Sequence, residues 1–196
     1  MLICGIDEAG RGPLAGPVVA AAVVFEDNAI VEGARDSKTL SETLREGLYD
    51  KIRERCLEYS IGAADHIEID ALNILKATML AMERALNSLS TKPDLVLIDG
   101  NYFRLPEGRE GQFNFKTIIK GDSNVNEISC ASILAKVTRD RIMKDSHKIY
   151  PVYNFNLNKG YPTPFHISAI RSSGICEIHR KTFCAKFVNG IRESNE

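Results

Sequence analysis

Apolar and polar positions along the chain repeat with two periods, and these divide it into strands and helices. Leu2–Asp7 is a short apolar run and Pro17–Phe25 a nearly unbroken one; both predict strands, the second buried on both faces. Thr39-x-x-Glu42 has the form of a capping box and opens a helix with Leu40, Leu44, Leu48 and Ile52 on one face. Glu58–Ala64 suits a short strand. Leu75, Met79, Met82, Leu86 and Leu89 predict a helix near 71–89, with the methionines as core. Leu95–Ile98 is a short apolar strand, 101–112 a loop, and Phe113–Ile119 an alternating strand suited to a sheet edge. Asn126–His147 is the longest helix. Its seam of Ile128, Ala131, Ala135, Thr138 and Ile142 is mostly small, which permits close packing on a sheet. Beyond Tyr150 the chain is aromatic and basic, is broken by Pro151, Pro162 and Pro164, and carries two short helices, near 165–173 and 180–190. This order predicts an α/β fold: a central mixed sheet flanked by helices, with a small helical C-terminal segment.

Two carboxylates, Asp7 and Glu8, end the first apolar run. Unpaired carboxylates on a buried strand are costly, so the pair needs a reason to be there. The loop after them has glycines at 10, 12 and 16 and a single charge, Arg11. It lacks the Gly-Lys-Ser/Thr ending of a nucleotide-binding loop. Asp99 ends the Leu95 strand, and Asp122 lies between the Phe113 strand and the long helix. Taken singly, Asp99-Gly100 also suits a turn and Asp122 a helix cap or first-turn acid. Carboxylates at the ends of neighbouring strands would repel one another unless a cation neutralised them. An all-oxygen donor set favours Mg²⁺ or Mn²⁺ over zinc.

At 196 residues one domain is expected, with a core over about 1–149 and a basic, aromatic segment over about 150–196. Residues 1–135 hold 14 basic and 21 acidic side chains, a net of −7, whereas residues 136–192 have a net of +8. That division suits a metal-dependent enzyme acting on a polyanion; a solvated basic helix and tail is the plainer alternative. No apolar run reaches the ~18 residues of a membrane span. The start lacks the pattern of a signal peptide, and the five cysteines have no paired spacing, so a cytoplasmic, reduced protein is expected. Cys176-x-x-His179 with Cys184 lacks a fourth ligand for a zinc site. Arg139 and Asp140 suit an ion-paired, solvated helix face. His166 could line a nucleic-acid channel or sit on the surface.

The stretch Gly5-Ile6-Asp7-Glu8-Ala9-Gly10-Arg11-Gly12-Pro13-Leu14-Ala15-Gly16 resembles the signature of the bacterial ribonuclease HII family, the type 2 ribonucleases H. Asp36-Ser37-Lys38, Ile98-Asp99-Gly100, Lys120-Gly121-Asp122-Ser123, the run Ser129–Asp140 and Lys159-Gly160-Tyr161-Pro162-Thr163 are similar to its further motifs, in the family's order. The resemblance implies an RNase H-like fold. It also implies cleavage of the RNA strand of RNA–DNA hybrids, and incision 5′ to ribonucleotides embedded in duplex DNA, by a two-metal mechanism. Asp7, Glu8, Asp99 and Asp122 would be the catalytic, metal-binding carboxylates. Gly10, Arg11 and Gly12 would contact the ribose 2′-hydroxyl and its backbone, Tyr161 would pack on a sugar, and Lys38 would meet a phosphate. A monomer is expected.

Overall fold

The computed structural model describes residues 1–26, 29–34, 37, 39–104 and 111–188. Five strands form one mixed sheet in the order β3-β2-β1-β4-β5. They are β1 (Leu2–Ala9), β2 (Val18–Glu26), β3 (Glu58–Ala64), β4 (Leu95–Asp99) and β5 (Phe115–Ile118). β2 runs antiparallel to both β1 and β3, while β1, β4 and β5 are parallel. The parallel half decides where chemistry can sit, because three strands then end on the same side.

β2 is buried at every residue except Glu26, as its unbroken apolar run requires. Val18, Ala20, Ala22 and Val24 pack with Cys4, Ile6, Val96 and Ile98 against α3 (Ile74–Asn87). Ala21, Val23 and Phe25 face α1 (Glu42–Arg55) and α5 (Asn126–Ile149) on the other side. A third cluster joins Leu14 and Ala15 to Met143, Tyr153, Phe155, Ala169, Ile170 and Cys184. It draws in α6 (Phe155–Asn158), α7 (Pro164–Ser173) and α8 (Lys181–Val188), so the C-terminal segment packs behind the loop that follows β1.

Three boundaries differ from the sequence reading for local reasons. The N-cap of α1 is Ser41, whose hydroxyl accepts from Leu44 N–H. A complete capping box forms instead at Asp65 and Glu68, opening the short α2 (His66–Leu72). α3 begins only at Ile74, because Asn73 is left-handed (φ 71°) and its side chain caps the new helix. The long helix runs two residues past His147, and the end of its expected seam comes free of the sheet, with Ile142 exposed. Residues 105–110 of the expected loop lie outside the described residues, as does Lys38.

Candidate active site

β1 and β4 pair in parallel with Ile6 opposite Ile98, so Asp7 and Asp99 are the next residues on neighbouring strands. Ile6 and Ile98 face α3, and the following carboxylates therefore turn to the α5 face. Asp122 arrives from the other direction. After β5, Lys120 takes a left-handed conformation (φ 56°), and Asp122 falls in the single turn α4 (Gly121–Asn124). Asp99 Oδ1 accepts from Gly121 N–H at 2.8 Å and from Asp122 N–H at 3.4 Å, which holds that turn against the strand end. Ser129 of α5 donates to the Asp122 carbonyl at 2.7 Å. Asp99 is thus the last residue of β4, and Asp122 lies in the first turn of α4, whose N-cap is Lys120; it is these contacts that bring the side chains together.

Carboxylate oxygens of Asp7, Asp99 and Asp122 all lie within 4.8 Å of one another. Asp7 is only 5% exposed. Burial, then the charges of Glu8 and Asp99, push its carboxyl well above the usual carboxylate range, with a Ser132 hydrogen bond opposing the rise. Glu8 is also raised by burial, against the pull of Arg11, whose guanidinium lies 3.3 Å away. Three crowded oxygen-donor groups, two of them buried, have the chemistry of a hard divalent-cation site.

A cleft of about 440 Å³ opens beside the cluster, lined in part by Glu8, Asp99, Gly10, Arg11, Gly12 and Tyr161. The glycine loop and the tyrosine therefore come to the same place as the carboxylates. Tyr161 is 39% exposed. Its ring lies 5.9 Å from Lys136 Nζ and 5.8 Å from the Arg139 guanidinium carbon. Ser37 and Ser132 also line the cleft and share a 2.8 Å hydrogen bond.

Two readings need correction. Arg139 and Asp140 are not a solvated face: both are buried, Asp140 pairs with Lys136 at 2.7 Å, and Arg139 turns into the protein to bind backbone carbonyls. Arg139 lies under the C-terminal segment, where it meets the Lys159 carbonyl, a placement that the periodicity of α5 alone does not reveal. His166 is fully buried rather than on the surface. Its Nε2 is 3.0 Å from Nε2 of the equally buried His179. His179 Nδ1 accepts from Cys176 N–H at 2.9 Å and lies 3.1 Å from Cys176 Sγ, so both of its ring nitrogens have protein partners. Arg180, beside it in sequence, is fully buried as well. A lone arginine at the start of a short, basic helical segment gives no signal that it will be buried.

A family model described as ribonuclease HII matches residues 4–186. The ribonuclease HII of Paraburkholderia xenovorans is 53% identical over 183 residues, covering 93% of this chain and 72% of that protein. That of Coxiella burnetii is 53% identical over 184 residues, covering 93% and 88%. Among solved structures, ribonuclease H2 of Pyrococcus horikoshii superposes with a TM-score of 0.81 at 28% identity, covering 99% of this chain and all of the other. The RNase HII in a complex with PCNA from Archaeoglobus fulgidus gives 0.75 at 26% identity, covering 98% and 97%. The parallel strand ends, the carboxylate cluster and these matches lead to one conclusion: the chain belongs to the ribonuclease HII family and is a metal-dependent ribonuclease H.

Proposed function

We propose that the cleft hydrolyses the RNA strand of RNA–DNA hybrids and incises duplex DNA 5′ to an embedded ribonucleotide, leaving a 3′-hydroxyl and a 5′-phosphate. The observation that supports this reading best is the cluster of Asp7, Asp99 and Asp122 set directly beside the glycine loop. These three carboxylates, with Glu8 adjoining, would hold Mg²⁺ or Mn²⁺. Bound there, in the two-metal arrangement the reading expects, the cations would supply Lewis-acid stabilisation of the attacking and leaving oxygens.

The chain's own groups do the rest. Carboxylates of Asp7 and Asp99 orient a water toward phosphorus from the strand ends. The backbone of Gly10-Arg11-Gly12 reads the 2′-hydroxyl, the group that separates RNA from DNA locally. Tyr161 offers a flat face for a sugar, and Lys136 a charge for a phosphate; neither contact reads sequence. Lys38 belongs to the same reading as a phosphate contact. A monomer working in the cytoplasm completes it.

A DNA duplex with one internal ribonucleotide tests the proposal. One nick, dependent on Mg²⁺ or Mn²⁺ and lost in Asp7→Asn, is the expected result; undiminished cleavage by that variant would sink the carboxylate assignment. Tyr161→Ala should slow incision at the single ribonucleotide at least tenfold more than cleavage of a long hybrid. Equal losses would reduce the tyrosine to a packing residue.

A further inference from the structure

The glycine loop is held from behind by two side chains with no part in the chemistry proposed above. Arg139 projects from α5, and Arg180 immediately precedes α8; they are 1% and 0% exposed. Every guanidinium nitrogen of both donates to a backbone carbonyl. Arg139 reaches Pro17 (Nε, 2.9 Å), Lys159 (Nη1, 2.9 Å) and Ala15 (Nη2, 3.1 Å). Arg180 reaches Gly16 (Nε, 3.0 Å), Arg11 (Nη1, 2.9 Å) and Gly10 (Nη2, 2.6 Å). Five of these six carbonyls belong to the loop between β1 and β2. The nearby carboxylates are engaged elsewhere: Asp140 with Lys136, and Asp70 with the backbone of Lys181 and Thr182.

Burying two guanidinium groups without a direct carboxylate partner is costly unless every donor is satisfied. Here each of the three nitrogens of both groups donates to a carbonyl, a set of charge-assisted bonds that a planar fork can make and a single ammonium cannot. The orientation of the loop follows from the trans peptide. The Gly10 carbonyl shares a peptide unit with Arg11 N–H, and the Arg11 carbonyl with Gly12 N–H. No described peptide bond is cis. Pulling both carbonyls back toward Arg180 therefore turns both N–H groups away from it, to the opposite side of the loop.

We infer that Arg180, supported by Arg139, is a positioning residue for ribose recognition: it fixes the two peptide units whose N–H groups face the 2′-hydroxyl. The inference rests on the functional reading above and extends it to the C-terminal segment, since Arg180 arrives from there. Gly10 records the same constraint. At φ 101° a Cβ would lie 2.0 Å from Arg139 Nε, so the loop backbone sits directly on the arginine.

Single-turnover rates on two duplexes, one with a ribonucleotide and one with a 2′-fluoro nucleotide at the same site, provide the test. Their ratio is independent of the folded fraction, because both substrates meet the same population. Arg180→Lys keeps the charge but reaches one carbonyl in place of three, and should shrink the ratio at least tenfold while the Mn²⁺-induced rise in Tm stays as in wild type. Arg180→Gln and Arg139→Lys are measured alongside. An unchanged ratio in the folded variants would overturn the inference, and so would failure of all three to fold, which would make the arginines determinants of the fold alone. If the wild-type protein left the ribonucleotide duplex uncut, the functional reading itself would fail, an outcome distinct from either.

Discussion

Asp7 is where packing and chemistry conflict most directly. Its carboxyl is buried beside Glu8 and Asp99, and all three influences favour the protonated form. A carboxyl raised in the folded state stabilises that state below its unfolded pKa, and the contribution is lost as pH rises through the folded value. Near neutral pH the folded, metal-free protein therefore holds the Asp7 carboxylate less favourably than the unfolded chain does. Asp7→Asn should relieve about 1 kcal/mol or more, raising the metal-free Tm by about 2–4 °C near pH 7. The gain should fade in acid, and the Mn²⁺-induced shift should disappear; calorimetry at several pH values reads all three effects. His179 has the opposite sign. Burial and His166 lower its pKa from 6.5 to about 4, so it is neutral when folded and takes up a proton on unfolding. Its neutral ring accepts from Cys176 N–H at Nδ1, leaving Nε2–H to donate to His166 and His166 Nδ1–H to donate to the Tyr161 carbonyl. Stability should hold above pH 6.5 and fall by at most about 3 kcal/mol toward pH 4. Denaturant unfolding of wild type and His179→Gln across that range should show a smaller loss in the variant.

At the scale of elements, hydrophobic pattern identified all five strands and the principal helices, because burial on one or both faces leaves its period in the residues. What it could not give was the register. Nothing in Ile6-Asp7 or Ile98-Asp99 says that the two stretches pair side by side, although their shared ending, an apolar residue then an acid, marks both as strand ends. The Asp122 position depends on the left-handed Lys120, which has no signature in the sequence. Strand-end positions already group the carboxylates, and motif resemblance adds the glycine loop and Tyr161; that Arg139 and Arg180 are buried behind the loop is legible in neither. Gly5 shows the physical link between element packing and the site. A Cβ there would lie 2.1 Å from the Glu127 carbonyl carbon, so the start of α5 rests on the backbone of β1. Gly5→Ala should cost about 1–3 kcal/mol by overpacking. It should also lower activity beyond the loss of folded protein, since α5 carries the Ser129 that holds the Asp122 carbonyl. Comparing Tm with the specific activity of the folded fraction separates the two effects.

At the scale of the whole molecule, the charge division along the chain is partly cancelled by folding. Arg141 pairs with Glu46 at 2.5 Å and Lys144 with Glu42 at 2.6 Å, so α1 neutralises one side of α5. Lys136 and Lys148 pair with Asp140 and Asp145, while Arg139 and Arg180 are spent on carbonyls. Lys159 donates to the Asn156 carbonyl, so seven of the eleven basic residues in 136–192 are engaged within the protein. Each phosphate neutralised on duplex binding contributes a slope of about −0.9 in log K against log salt. Use of the full basic excess would give a slope near −7, whereas contacts from Arg11, Lys38 and a few exposed lysines such as Lys181 and Lys186 should give about −3 to −4. Fluorescence anisotropy of an Asp7→Asn variant on a labelled hybrid, at fixed Mg²⁺ and varied NaCl, measures this directly. A steep slope would mean that the internal ion pairs open on binding, making the α1–α5 face part of the nucleic-acid surface. A shallow slope confines the contact to the cleft and its rim, where the carboxylates, the glycine loop and Tyr161 already meet.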